Sequence, residues 1–280
     1  MNAGEWLRSA EGVLGRSGLP SPSRDALLLL SHALGRNKAF ILAHLDRPLA
    51  EEEARTAESL LARRAGQEPM QYIRGVQEFW GMPVKVGPGC LIPRPETEHL
   101  VEQALIAVEG ISSPAVAEVG AGSGCVLMAL WVERPDALLV GLEREAGALV
   151  WARRNLAAIP GVLLVRADLA ADSPLRELDA LVSNPPYISD GEWESLPDEV
   201  RNFEPVAALR SGPDPLGPYR RLARWAVQSL KPGGFLLCEL GQAQAKRASA
   251  LRSLHRELEF TRSVRDLAGR TRVAVWQRKG

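Results

Sequence analysis

Charge of one sign, cysteine and long apolar runs are all scarce in this chain of 280 residues. Thirty-four Lys and Arg balance 34 Asp and Glu, for a formal net charge of +0. Such a balance gives no broad pull toward phosphate backbones, so no stable nucleic-acid partner is expected. The three cysteines, Cys90, Cys125 and Cys238, are far apart and odd in number, without a Cys-x-x-Cys pair. That argues against a zinc site and against a disulfide framework. Four histidines (His32, His44, His99, His255) are scattered without ligand spacing, and no metal is expected. No apolar stretch reaches the roughly 20 residues that a bilayer-spanning helix needs. The N-terminus shows no secretory apolar segment. A protein of the cytoplasm, with reduced thiols and no membrane partner, is the expectation. The chain also offers no Cys, Ser or His nucleophile constellation.

What is present is 46% hydrophobic residues, enough to bury the core of one large or two ordinary domains. Residues 1–75 read as all helix. Trp6, Leu7, Ala10, Val13 and Leu14 fall on one helical face. Ser21 or Ser23 can cap the run Asp25 to Leu34, which Gly35 ends. A third helix, Glu51 to Ala65, carries acids in its first turn. Residues 76–92 read as a hairpin connector, with aromatic and β-branched residues around Gly81. In Leu91-Ile92-Pro93-Arg94-Pro95-Glu96-Thr97-Glu98 two prolines fix an extended backbone, and Glu96 or Thr97 precedes a helix from Glu98 to Val108. Residues 93–280 then alternate strands and helices, which implies an α/β domain with an open, mostly parallel sheet covered on both faces. Lys231 to Gly234 reads as a turn that launches the strand Phe235 to Leu240. Val273 to Trp276 reads as a final edge or antiparallel strand. Residues 212–218, rich in Pro and Gly, read as a loop that could serve as a lid.

Three motifs in that half carry chemistry. Ala115 to Val119 reads as a buried strand and runs into Gly120-Ala121-Gly122-Ser123-Gly124, followed by a helix from Cys125. Glycines here let the backbone turn tightly and let a ligand approach closely. The loop lacks the Lys-Ser/Thr pair of a triphosphate-binding loop. About twenty residues on, Glu143 ends a second strand, where an acid can accept both hydroxyls of a ribose. Either NAD or S-adenosylmethionine satisfies that pairing. Asn184-Pro185-Pro186-Tyr187 ends the apolar run Leu178 to Ser183 and breaks the tie. The Asn side-chain carbonyl and the Pro185 backbone carbonyl are two adjacent acceptors, with a ring behind them, suited to a planar NH₂ group. Asn-Pro also starts ordinary turns, but a methyltransferase acting on nitrogen needs such a pair and a dehydrogenase does not. Asp168, after a strand-like run Val162 to Val165, can accept from an adenine amino group.

Taken together, these residues resemble the release-factor glutamine methyltransferases. The likeness covers nearly the whole chain. It includes Ile92 to Glu98, Glu118 to Gly124, Val182 to Ile188, Phe203-Glu204-Pro205, Tyr219-Arg220 and Arg265 to Arg270. The glycine loop and Asn-Pro-Pro-Tyr also occur in other amino-methyltransferases, whereas the Pro-Arg-Pro segment and the helical N-terminal region are more specific. The resemblance implies a Rossmann-like class I S-adenosylmethionine-dependent methyltransferase domain, a small helical N-terminal substrate-docking domain and a hairpin connector between them. It implies methyl transfer to the side-chain amide of the glutamine in the Gly-Gly-Gln motif of class 1 peptide chain release factors. Gly120, Ala121, Gly122, Ser123, Gly124, Glu143, Asp168, Leu169 and Asn184 would hold the cofactor, which leaves as S-adenosylhomocysteine. Asn184, Pro185, Pro186 and Tyr187 would hold the glutamine, with Asn184, Pro185 and Tyr187 taking part in catalysis. Leu169 stands where relatives often carry an aromatic ring. Asp214-Pro215-Leu216 departs from a more usual Asp-Gly-Leu. A monomer is expected. The rival readings are a nucleic-acid exocyclic-amine methyltransferase and a noncatalytic S-adenosylmethionine-binding module.

Overall fold

The computed structural model describes residues 1–246, 250–251 and 253–280. The chain forms two compact units, one of residues 1–75 with 197–203 and one of residues 76–196 with 204–280.

The first unit is helical. It comprises α1 (Ala3–Arg16), α2 (Pro22–Leu34), α3 (Lys38–Ala43), α4 (Glu51–Ala65) and α5 (Met70–Arg74), and residues 197–203 contribute a further short helix. Trp6, Ala10, Leu14, Leu29, Leu30, Ala57, Leu61 and Ile73 form its core, the apolar stripe that 3.6-residue periodicity produces. Asn2 opens α1 with a capping box: its side chain takes the Glu5 N–H at 2.8 Å, and Glu5 returns a bond to the Asn2 N–H at 2.9 Å. Ser21 occupies the cap position of α2 but its side chain makes no cap bond; Ser23 donates to Glu11 instead. The one buried cation, Arg64, donates to Asp25 at 2.7 Å, to the Glu68 carbonyl at 2.8 Å and to Glu199 at 2.8 Å. Matched donors offset part of the desolvation cost of a buried guanidinium, and removing one partner would leave it uncompensated.

The second unit opens with the hairpin β1 (Val76–Phe79) and β2 (Met82–Lys85), joined by Trp80 and Gly81, both at positive φ. A two-residue turn of that hand matches the twist of the strands. The unusual Trp80 backbone is held by its N–H to Glu98 and its indole N–H to Glu133, each at 2.8 Å. Next come α6 (Glu98–Ala107), β3 (Ala115–Val119), α7 (Cys125–Glu133), β4 (Leu138–Glu143), α8 (Ala146–Leu156), β5 (Val162–Arg166), β6 (Leu178–Ser183), β7 (Ile188–Ser189) and α9 (Asp190–Trp193). The helix of the first unit, α10 (Asp198–Phe203), is followed by α11 (Val206–Leu209), β8 (Arg210–Gly212), α12 (Gly217–Ser229), β9 (Leu230–Glu239), α13 (Gln242–Ala245), β10 (Leu258–Arg265) and β11 (Thr271–Arg278).

Seven strands make one sheet in the order β10-β11-β9-β6-β3-β4-β5. The five from β9 to β5 are parallel; β11 runs antiparallel to β9, and β10 antiparallel to β11. All six residues of β6 are buried, which requires cover on both faces. The final strand β11 is therefore interior, and the edge is β10, a strand that the sequence reading passes over. Lys231 to Gly234 is an irregularity within β9, where the register jumps from Leu178↔Leu230 to Ala180↔Phe235. Residues 213–216 lead into α12, with Pro213 and Asp214 exposed and Leu216 buried. The order reverses between β3 and β6, the position at which open α/β sheets leave a crevice at their strand ends.

Candidate active site

β3 and β6 are neighbours, with Val119 opposite Ser183, and β4 flanks β3 with Leu142 opposite Val119. The glycine loop, Asn184-Pro185-Pro186-Tyr187 and Glu143 therefore leave three adjacent strands at the same level. The Ser183 hydroxyl donates to the Val119 carbonyl at 2.7 Å and ties the two strands where both motifs begin. Above them opens a cleft of about 320 Å³.

The glycine loop shapes itself with backbone bonds. The N–H groups of Gly120 and Ala121 donate to the Leu142 carbonyl at 2.7 and 3.1 Å, and that of Gly124 to the Ala121 carbonyl at 2.7 Å. Gly120, Gly122 and Gly124 lie at φ of +78°, +55° and +80°, a region other L-residues enter only with strain. Glu143 is held from both ends: Oε2 accepts the Gly122 N–H at 2.9 Å and Oε1 the Glu145 N–H at 2.8 Å. Each oxygen keeps a further lone pair for a ligand hydroxyl. Asn155 of α8 bonds the Ser123 carbonyl at 2.8 Å and both backbone groups of Lys85 at 2.8 and 2.9 Å, linking the loop to the hairpin.

Glu118, the penultimate residue of β3, also lines the cleft. It is 3% exposed, and its Oε2 has no hydrogen-bond partner among the described residues. Burial, with the Glu143 charge nearby, holds its pKa well above the usual carboxylate range. An unmatched buried carboxyl of this kind calls for a donor or a cation from a ligand.

On the other shoulder the Asn184 Nδ2 donates to the Thr97 hydroxyl at 3.1 Å, and that hydroxyl donates to Glu239 Oε2 at 2.6 Å. Glu239 ends β9 and is 2% exposed. Burial pushes its pKa to about 7, against the pull of the Thr97 bond and of Arg272 and Arg94. Sequence reading gave Thr97 only a helix-start role and gave Glu239 none. The available signal was an acid finishing a near-continuous apolar strand.

The cleft brings together Gly120, Ala121, Gly122, Ser123, Glu143, Asp168, Leu169, Asn184, Pro185 and Pro186. Gly124 and Tyr187 are not among its lining residues. Gly124 instead begins α7, where a side chain would meet Leu156 at 3.0 Å. Tyr187 packs behind the motif: its carbonyl accepts from Gln244 at 2.8 Å, and a Cβ on Gly241 would lie 2.6 Å from its ring. Asp168 is partly committed, since Oδ1 accepts the Ala170 N–H at 2.9 Å and Oδ2 lies 3.7 Å from Arg144. Leu169 packs its apolar side chain on the main core. Pro93 and Arg94 of the Pro-Arg-Pro segment also line the cleft, as do Ala207, Ala208 and Arg221, to which the sequence gives no role. The three thiols are buried and pushed upward, Cys90 to about 12, and so stay protonated near neutral pH. Among the described residues no group of acids, His and Cys could hold a metal ion, and no helix is long and apolar enough to cross a membrane.

Residues 5–75 match the family model described as PrmC N-terminal domain, and residues 97–198 the one described as Methyltransferase small domain. A Release factor glutamine methyltransferase of Geobacter sulfurreducens is 41% identical over 244 residues, covering 86% of this chain and 84% of that protein. One of Rhodospirillum rubrum is 37% identical over 100% of this chain and 84% of its own length. One of Escherichia coli is 36% identical, over 93% of this chain and 94% of its own length. Among solved structures, the hMettl16 catalytic domain in complex with MAT2A 3'UTR hairpin 6 matches with a TM-score of 0.56 at 13% identity, covering 78% of this chain and 81% of that one; the likeness there is one of fold.

Proposed function

Because this chain belongs to the release factor glutamine methyltransferase family, we propose that it methylates the side-chain amide of the Gly-Gly-Gln glutamine of class 1 peptide chain release factors, with S-adenosylmethionine as donor. That it is a methyltransferase follows from the family and from its domain match. The observation that carries the finer reading is the level placement of Val119, Leu142 and Ser183, from which all three motifs enter one cleft.

The residues present fit the cofactor. Glu143 offers acceptors to ribose hydroxyls. Glu118, buried and without a partner for Oε2, suits the ammonium of the methionyl end. Asp168 and Leu169 line the same cleft and suit the adenine, Leu169 by apolar contact without ring stacking. When bound, S-adenosylmethionine would supply a sulfonium methyl: the nitrogen–carbon bond would form as the sulfur–carbon bond breaks, sulfur would keep that electron pair, and the nitrogen's proton would pass to water.

An amide nitrogen is a weak nucleophile, because its lone pair is delocalised into the carbonyl. The chain's part is to orient it and to raise its electron density. Asn184 Oδ1 and the Pro185 carbonyl would accept the two N–H bonds of the substrate amide, in line with the donor, and would stabilise charge growing on those protons. Holding two reactants in register contributes up to about 7–11 kcal/mol toward the barrier. Tyr187 would act from behind the motif, as a support to Asn184 to Pro186. Pro186 closes the wall beside the amide.

The test is to incubate the protein with S-adenosylmethionine and an unmethylated class 1 release factor and to locate any added methyl by tandem mass spectrometry. A methyl on the Gly-Gly-Gln glutamine, absent with Asn184→Ala, is the expected result. No transfer to a folded factor, with cofactor binding demonstrated, overturns the reading.

A further inference from the structure

We propose that Thr97 and Glu239 are positioning residues for methyl transfer: they fix which way the Asn184 side-chain amide faces and so keep its carbonyl oxygen toward the substrate. The inference rests on the reading of Asn184 as the substrate's acceptor.

A side-chain amide is nearly symmetric in shape, so rotation by half a turn swaps its carbonyl for its NH₂ at little steric cost. In this site the swap would set an NH₂ donor against the NH₂ of the substrate glutamine. Something must choose the face, and the hydrogen-bond chain does so by counting protons. The Thr97 hydroxyl has one proton, and it goes to Glu239 Oε2 at 2.6 Å. Toward Asn184 that hydroxyl can only accept. Asn184 therefore turns its Nδ2 to Thr97, at 3.1 Å, and its Oδ1 is left for the substrate.

The surroundings hold this chain in place. Thr97 lies in the short turn Pro95–Thr97 and is 4% exposed. Its neighbour Glu96 pairs with Arg272 of β11 at 3.1 Å, and Arg272 pairs with Asp266 at 2.7 Å. Asp266 also takes the Arg270 N–H at 2.9 Å, closing the β10–β11 turn. Arg94 pairs with Glu204, which takes the Ile92 N–H at 3.0 Å. The charged groups acting on Glu239 are thus Glu96, Arg272 and Arg94. Two phenols also sense it: Tyr187, and Tyr219, which donates to the Glu239 backbone carbonyl at 3.0 Å. Glu204 and Asp266, in two stretches that the sequence singled out without assigning a task, are thus tied by ion pairs, directly or through Arg272, to the segment that carries Thr97.

The chain of bonds holds as long as Glu239 is ionised. A protonated Glu239 can donate to Thr97, which frees the Thr97 proton for Asn184 Oδ1 and reverses the amide. With a carboxyl that titrates near 7, transfer falls as pH drops through that region.

The experiment measures kcat for release-factor methylation from pH 5.5 to 9 in the wild type, Thr97→Val, Thr97→Ser and Glu239→Gln, together with S-adenosylhomocysteine affinity. Thr97→Val keeps the shape and removes the hydroxyl; kcat is expected to fall about 10- to 100-fold, with cofactor affinity unchanged and Thr97→Ser restoring most of the rate. Glu239→Gln keeps a carbonyl for Thr97 but cannot ionise, so the acid limb near 7 is expected to vanish. Wild-type kcat in Thr97→Val, or an unmoved acid limb in Glu239→Gln, overturns the proposal. If Thr97→Val fails to bind cofactor, the Glu239→Gln profile decides alone. A wild type that methylates no release factor refutes the functional reading instead, separately from the positioning role.

Discussion

The glycine loop and the Asn-Pro-Pro-Tyr segment leave adjacent strands at the same level, with Val119 opposite Ser183. Their support differs in kind. The loop is held by its own backbone and by the next strand, through Leu142 and Glu143. Asn184 is held by Thr97, 87 positions away in the chain, and Thr97 in turn by Glu239, 142 positions from it. One shoulder is rigid because of local chain geometry. The other is rigid only when distant segments have assembled. Binding of a cofactor and alignment of a substrate are therefore separable, and substitutions should affect one without the other.

The largest effect expected is that of Asn184→Ala, which removes an acceptor from the reacting centre. Methyl transfer should fall at least about 10²–10³-fold, as when an aligned polar group is deleted from an active site. Titration calorimetry with S-adenosylhomocysteine should show a much smaller loss, because Asn184 is only one of several residues expected to touch the cofactor. A parallel collapse of both quantities would erase the distinction between the shoulders. Glu143→Ala probes the opposite side. It deprives the Gly122 and Glu145 N–H groups of their acceptor, and cofactor affinity should drop by about 10- to 100-fold, the range for a hydrogen bond to a charged group. Unchanged affinity would show that the ribose is held by other groups.

Gly241→Ala sharpens the contrast at the remote support. The new methyl would sit 2.6 Å from the Tyr187 ring and 2.7 Å from Gln244 Oε1. Overpacking of this kind costs about 1–3 kcal/mol. A lowered melting temperature and slower transfer at unchanged cofactor affinity are expected, and a neutral variant would show that Tyr187 gives no support.

The last effect concerns how stability depends on pH. Glu239 titrates at about 7 in the fold against 4.5 ordinarily. Between those values the unfolded chain binds fewer protons than the folded one, so this group lowers stability as pH rises from about 4.5 to 7. Glu239→Gln should thus be more stable than the wild type at pH 8, by an amount on the order of 3 kcal/mol at most, and should lose that advantage toward pH 5. Thermal melts at both pH values read it directly. A constant difference would mean that Glu239 carries no such shift.

The same contrast explains what the sequence disclosed. The parallel strands were legible because β3, β4 and β6 are short apolar runs ending at Gly120, Glu143 and Asn184, and each ending is local in sequence. Boundaries moved by a residue: the helix expected over Glu98 to Val108 runs Glu98–Ala107, and the strand expected over Val162 to Val165 runs Val162–Arg166. The edge strand β10 went unseen because Leu258–Arg265 alternates buried and exposed residues with charges on its open side, a weak apolar signal. Thr97 and Glu239 were illegible as partners because nothing local connects residues on a turn and at the end of β9. The Asn2 cap is local in sequence, since Asn2 and Glu5 stand at capping-box spacing. Trp80, a bulky residue at positive φ, reads from sequence as an ordinary hairpin aromatic; only its two bonds, to Glu98 and Glu133, reveal why it tolerates the turn.

One feature of the helical unit bears on modularity. Residues 197–203 belong with residues 1–75, and Glu199 supplies one of the carboxylates around the buried Arg64. The polypeptide thus passes from one unit to the other three times, after Gly75, after Leu196 and after Phe203. A single cut at the hairpin boundary would not free a complete module. A graft of residues 1–75 onto another enzyme would carry Arg64 with Asp25 and the Glu68 carbonyl but without the Glu199 carboxylate.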